Sequence, residues 1–415
     1  MQLKNRFRKL VTGLLGASMV LGLAACGQPG TDTTPLDLDS MSFEQIREQA
    51  RGTSVSFYGW GGDERLNHWL DEVYAPTMKE KYEITIERMP MDIDQILSKL
   101  SSEVQGGKQD GSIDMIWING ENFYSAKEND LLFGPFTQAL PNFETYIDPE
   151  DPETLYDFAY PIEGYEAPYG KAQLVLIKDD AKSPETPESA RELMDFVQKY
   201  PGKVTYPAPP DFTGSAFVRN IIYEFADPEI FMDMEADKET VRRAVAPAMD
   251  YLRQLNPYLW GQGKTFPATE SQLQTMYMDG EVLMHMSYTS YWIASAIEKG
   301  IIPETSRSFQ FENGTIGNTN FVAIARNSGN KAGAMVAINE LLTPEMQQSR
   351  YEDLKILPVL DNDRLTEAEK AGFDAVDPGP GTISQEELLE KRLPEMPARL
   401  VPIIEEIWLE EVVGR

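Results

Sequence analysis

From Ser54 onward the apolar positions change period in a regular order. Val55-Ser56-Phe57-Tyr58 is short and strand-like, and Gly59-Trp60-Gly61-Gly62 ends it. Leu66, Leu70, Val73 and Tyr74 then recur at helical spacing, and residues 83–87 alternate as a strand. Ile93, Ile96, Leu97, Leu100 and Val104 mark a further helix, closed by Gly106-Gly107. Residues 113–118 are apolar almost throughout, as in a strand covered on both faces of a parallel sheet. The order strand, helix, strand, helix, strand predicts a doubly wound α/β unit, whose ligands gather beyond the carboxyl ends of the strands.

Residues 134–169 are rich in prolines, acids and tyrosines, and Pro168-Tyr169-Gly170 leads into an apolar strand over 172–177. This reads as the crossing into a second α/β lobe. Its predicted strands are Val204-Thr205-Tyr206 and residues 282–286, with helices from about Ser215 and over 239–255. Residues 314–320 look like a return crossing, followed by a buried strand over 321–325 and a helix over 332–342. Acidic helices over 361–415 finish the chain, with Ile403, Ile404, Ile407 and Trp408 packing back. The expected division is therefore residues 51–168 with 312–360 as lobe one, 169–311 as lobe two, and 361–415 as C-terminal helices. A lobe that the chain enters twice hinges on few strands, so closure around a ligand costs little.

The start of the chain follows a different pattern. Lys4, Arg6, Arg8 and Lys9 precede an apolar run over residues 10–23, which ends in Leu23-Ala24-Ala25-Cys26-Gly27. A run this short with a small-residue exit reads as an export signal over residues 1–25 rather than a membrane span. Its end resembles a bacterial lipobox, which implies lipidation of Cys26, the single cysteine of the chain, and cleavage before it. Residues 26–50 are expected to be a flexible tether between lipid and domain.

Composition adds two constraints. At 415 residues the chain is long enough for about two domains, and 41% apolar with 25% charged residues is a globular balance. Sixty-seven acids against 37 bases leave a net charge of −30, a surface that repels phosphate backbones and excludes nucleic acid as a partner.

Five strings then carry a resemblance: Trp60-Gly61-Gly62; Trp117-Ile118-Asn119-Gly120-Glu121-Asn122-Phe123; Leu132-Phe133-Gly134-Pro135; Pro209-Pro210-Asp211-Phe212-Thr213-Gly214-Ser215; and Gly314-Thr315-Ile316-Gly317-Asn318-Thr319. They are similar to the extracellular solute-binding proteins of ABC importers, above all to the YnjB-like branch, over about residues 50–350. The resemblance implies a type II periplasmic-binding-protein fold: two lobes, each a doubly wound sheet flanked by helices, hinged by crossing strands. It implies no catalysis, no cofactor, and delivery of a small-molecule solute by a monomer to an ABC permease. The location it implies is extracytoplasmic, on a lipid anchor, with thiamine-like or polyamine-like cargo.

Candidate ligand contacts sit at the strand ends and crossings. Trp60, Gly61, Gly62 and Asp63 follow the first strand, and Asn119, Gly120, Glu121 and Asn122 follow the third. Asp211, Phe212, Thr213, Gly214 and Ser215 open a helix of the facing lobe. Tyr288, Tyr291 and Trp292 offer aromatic faces there, while Tyr169, Lys171, Asn318 and Asn320 flank the hinge. The bland alternatives are helix capping by Asp63, Asn119 and Asp211 and core packing of the aromatics. The carboxylates and aromatics lean toward a cationic or ring-bearing solute, whereas helix N-termini lean toward an anion. His68 is expected on an exposed helix face and His285 as a satisfied strand residue, too far apart in sequence for metal-ligand spacing. Ser215 has no Gly-x-Ser-x-Gly setting. The alternative reading is a surface-anchored enzyme on extracellular glycans, with Glu121 and Asp211 as its carboxyl pair.

Overall fold

Apolar alternation and short buried runs become twelve strands in a computed structural model, which describes residues 41–414. The expected signal peptide, Cys26 and the tether up to residue 40 lie outside the described residues. The last part of the expected tether is not a tether. Ser42 forms a capping box with Gln45 and starts the helix Phe43–Ala50, and Ile46 and Ala50 are fully buried. Those two residues stand four apart on one helical face, an apolar stripe in an otherwise polar segment.

The strands, in chain order, are β1 Ser54–Gly59, β2 Thr85–Pro90, β3 Met115–Ile118, β4 Leu132–Phe133, β5 Tyr156–Asp157, β6 Tyr160–Pro161, β7 Glu166–Gln173, β8 Val175–Asp179, β9 Met284–Ser287, β10 Ser306–Phe309, β11 Thr315–Ala325 and β12 Arg392–Leu393. In the first lobe β2, β1 and β3 are parallel and are linked by helices, as their periodicity predicts. β11 joins this sheet antiparallel to β3, with Phe321 opposite Ile118. Separate apolar clusters cover its two faces.

The second lobe is smaller in sheet and larger in helix. Its three strands run in the order β10-β8-β9, all antiparallel, rather than as the doubly wound sheet the alternation suggests. Val204-Thr205-Tyr206 is not a strand; Val204 O accepts from Trp260 N at 2.8 Å. The helices Phe212–Tyr223 and Lys238–Leu255 and the C-terminal helix Val401–Trp408 complete one large core.

β7 and β11 join the lobes. They pair antiparallel from Gly317 opposite Gln173 to Ala323 opposite Glu166, and a bulge leaves Tyr169 without a partner in the ladder. Its freed carbonyl accepts hydrogen bonds from Gln347 Nε2 at 3.3 Å and from the guanidinium of Arg350. Only Leu174 separates β7 from β8, so the chain leaves one sheet and enters the next within a residue. β12 lies parallel on the far side of β11 at Thr315 and Ile316.

Candidate functional site

The first lobe's contribution begins where β1 ends. Trp60 is 46% exposed, and its indole folds over Gly62. Asp63 caps the helix Glu64–Trp69 by accepting from the amides of Arg65 and Leu66 at 2.9 and 3.3 Å. After β3, Asn119 Nδ2 donates to Asn320 Oδ1 of the hinge strand at 2.8 Å. Gly120 has φ 63°, and its amide donates to Asp157 Oδ2 at 2.6 Å, which ties the β5–β6 turn to this loop. Glu121 is half-buried, and burial pushes its carboxyl up to about 7 despite the attraction of Arg219; the carboxylates of Glu405 and Glu395 add to the rise. Asn122 donates to Glu121 at 3.3 Å.

In the second lobe Asp211 caps the helix Phe212–Tyr223. Its two oxygens accept from Gly214 N at 2.9 Å and Glu270 N at 3.0 Å. Thr213 Oγ1 donates to Glu270 Oε2, and Ser287 Oγ donates to Oε1. Burial nonetheless pushes Glu270 up to about 7, with the carboxylates of Asp211 and of Asp63 from the other lobe adding to it. Ser215 Oγ donates to Glu405 at 2.6 Å and accepts from Arg219 at 2.6 Å. Phe212 packs edge-on to Tyr288 with ring centroids 5.0 Å apart, and Phe158 lies 6.2 Å from Phe212 on the other side. Phe158 sits on the turn that Asp157 fastens to Gly120, so a first-lobe ring meets a second-lobe aromatic face. This seam between the lobes brings Glu121, Asp211, Phe212, Thr213, Ser215 and Tyr288 together.

Other expected contacts are placed elsewhere. The Tyr169 ring is buried in the first-lobe core, 6.4 Å from Phe57 and 6.1 Å from Trp117, under the Arg350 guanidinium. Lys171 Nζ is held by Glu153 at 2.7 Å and Asp151 at 3.7 Å. Tyr291 is buried, and Trp292 packs edge-on to His285 at 5.0 Å. Asn318 is buried and donates to the Thr319 carbonyl. His68 is exposed. His285 is buried but not satisfied: among the described residues neither ring nitrogen has a hydrogen-bond partner, Glu270 lies 3.9 Å away, and burial lowers the imidazole to about 3, keeping it neutral. No group of three or more His, Cys, Asp or Glu among the described residues is placed to hold a metal ion.

The periodicity did not indicate Phe158, Arg219, Glu270, Glu395 and Glu405. Of these, Arg219 carried a signal that could have been read: it is the single charged side chain of the mostly apolar helix Phe212–Tyr223. Such a charge demands a buried partner. The partner is Glu395, 176 residues away, at 3.0 Å from both Nε and the second guanidinium nitrogen.

Residues 73–371 match the family of bacterial extracellular solute-binding proteins. The chain belongs to that family. It is 36% identical to the YnjB protein of Escherichia coli (strain K12) over 307 residues, which are 74% of this chain and 78% of that protein. Its fold is also that of a provisionally assigned spermidine/putrescine ABC transporter from Listeria monocytogenes, with TM-score 0.59 at 16% identity, covering 87% of this chain and 99% of that one. A periplasmic thiamin binding protein gives TM-score 0.58 at 14% identity over 86% and 96% of the two chains. The solute-binding protein thus has the two-lobe type II fold and acts outside the cytoplasm, where it binds a small solute for an ABC importer. It is a transport receptor and not an enzyme, which removes the glycan-cleaving alternative; both Asp211 oxygens are in any case spent on backbone amides. Among the described residues no helix of this solute-binding protein is long and apolar enough to cross a membrane.

Proposed function

We propose that the chain is the lipid-anchored receptor of an ABC importer for a small organic cation, thiamine-like or polyamine-like, held between the lobes. One observation carries this reading: carboxyls gather along the seam, Glu270 bonded to Thr213, Glu405 to Ser215 and Glu395 to Arg219, and the charges of Asp63 and of Glu395 and Glu405 help to raise Glu270 and Glu121 respectively. The aromatic faces of Phe158, Phe212 and Tyr288 lie beside them, which suits the ring or methylene body of such a solute. Lobe boundaries near residues 168 and 312 and closure about β7 and β11 belong to the same reading.

The test is mass spectrometry of solute retained through purification, followed by melting with thiamine, putrescine and spermidine. A bound cation at a hundredfold excess over its Kd adds about 2.7 kcal/mol of stability. Recovery of only anionic or neutral solutes, with no cation shifting the melt, would overturn the cationic reading. Lipidation is tested separately: Cys26→Ser moves the protein from the membrane fraction to the medium or periplasm if the anchor is real, and leaves its distribution unchanged if it is not.

A further inference from the structure

Arg219 is the one cationic group presented by the helix that opens the second lobe's side of the seam. A guanidinium there, above a helix whose first turn carries Thr213 and Ser215, has the donor fork that binds a ligand carboxylate or phosphate. It is not free to do so. Glu395 takes its Nε and one terminal nitrogen in a planar, two-bond pair at 3.0 Å each, Tyr288 donates to the same carboxylate, and Met396 N donates to it at 3.1 Å. The other terminal nitrogen donates to Ser215. Both charged side chains are buried, and Phe158 of the opposite lobe lies over the guanidinium at 5.5 Å.

Glu395 comes from a part of the chain beyond the family match, which ends at residue 371. That part is fastened to the hinge rather than left loose. β12 pairs with β11, Arg392 donates to Glu153 at 2.7 Å and to the Ala172 carbonyl at 3.0 Å, and Ala398 N donates to Phe158 O at 2.8 Å. The carboxylate is therefore delivered to a fixed place between the lobes. A buried ion pair is a weak source of stability, so stability alone does not account for the arrangement.

We propose that this C-terminal strap, residues 391–400, sets the sign of the ligand: Glu395 occupies the guanidinium of Arg219, so that the seam accepts a cationic group opposite Glu121 and rejects carboxylates and phosphates. The proposal rests on the seam being the solute site, and the experiment separates the two ideas. The full chain, Glu395→Gln, and the double variant Arg219→Met with Glu395→Gln are titrated with putrescine, spermidine and thiamine, and with citrate and inorganic phosphate. The single variant leaves Arg219 charged and unpaired. It is expected to bind the preferred cation at least about tenfold more weakly and to gain citrate or phosphate binding that the unaltered protein lacks. The double variant has no net charge at this point and should recover the cation to within about threefold while losing the anion. It also guards against a fold lost to an unpaired buried arginine, because neither remaining side chain is ionised. Equal ligand preference in all three proteins overturns the proposal, as does anion binding by the unaltered protein. If no cation binds the unaltered protein, the cationic reading fails, and gain of anion binding by Glu395→Gln still decides for or against the strap.

Discussion

Thr213 donates a hydrogen bond of 2.6 Å to Glu270, yet the carboxyl it serves is raised to about 7 because burial outweighs that bond and the one from Ser287. A carboxyl with a folded value above its unfolded value of about 4.3 keeps a proton in the native state that the unfolded chain has released. Its contribution therefore falls as pH rises from about 4.3 to about 7 and is constant beyond. Glu270→Gln removes this group from titration. The stability of the variant relative to the unaltered protein should increase between pH 5 and pH 7.5, read from urea unfolding at both values. A difference that stays constant with pH would show that Glu270 is not raised.

Trp60 is 46% exposed, and its side chain makes no hydrogen bond among the described residues, whereas Asn119 is bonded to the hinge strand through Asn320. Trp60→Ala should weaken solute binding by about 2 kcal/mol, the loss of an aromatic anchor, with an unchanged melting temperature. Asn119→Ala should lower both affinity and melting temperature, because it breaks a contact between the first-lobe loop and β11. Calorimetric titration beside thermal melting separates the two. Unaltered affinity in both variants would move the solute away from these loops.

Helix Phe43–Ala50 buries Ile46 completely against the first lobe. Ile46→Ala should cost about 2–4 kcal/mol in urea unfolding, as for other truncations in a packed core. A cost below about 0.5 kcal/mol, typical of surface positions, would return this segment to the tether.

Gly314 holds φ 101°, and a Cβ there would stand 2.2 Å from the carbonyl oxygen of Lys391. Gly314→Ala should strain the backbone by about 1–3 kcal/mol and push the strap off β11. Faster proteolysis in residues 385–400, with the rest of the chain still resistant, is the expected outcome. Unchanged cleavage would mean that β12 is held by its other contacts alone.

Periodicity made the first lobe legible because β3 is almost wholly buried and its helices carry one apolar side: Ile113 through Ile118 and the row Ile93, Ile96, Leu97, Leu100 read directly as elements. The second half of the crossing strand β11, residues 321–325, was equally plain from its buried run, while residues 315–320 read only as a crossing. The second sheet was not, since an apolar stretch such as Val175-Leu176-Ile177 looks the same in parallel and antiparallel pairing. The candidate site was legible where helix-capping and ligand-binding chemistry coincide, at Asp211, Thr213, Ser215 and Glu121. Glu395 was not, because an acidic residue before Met396-Pro397 carries no pattern of its own, and its partner Arg219, the one charge in a mostly apolar helix, lies 176 residues away.

The bulge at Tyr169 decides where the two halves can turn. Its carbonyl is tied to Gln347 and Arg350, and two residues on, Lys171 donates its amide to Leu357 O at 2.9 Å. Up to that point the ribbon is riveted to the first half. Any swing must then be taken up over the three residues Ala172, Gln173 and Leu174 before β8 begins, and in the facing stretch of β11, a fulcrum too short for the halves to slide past each other.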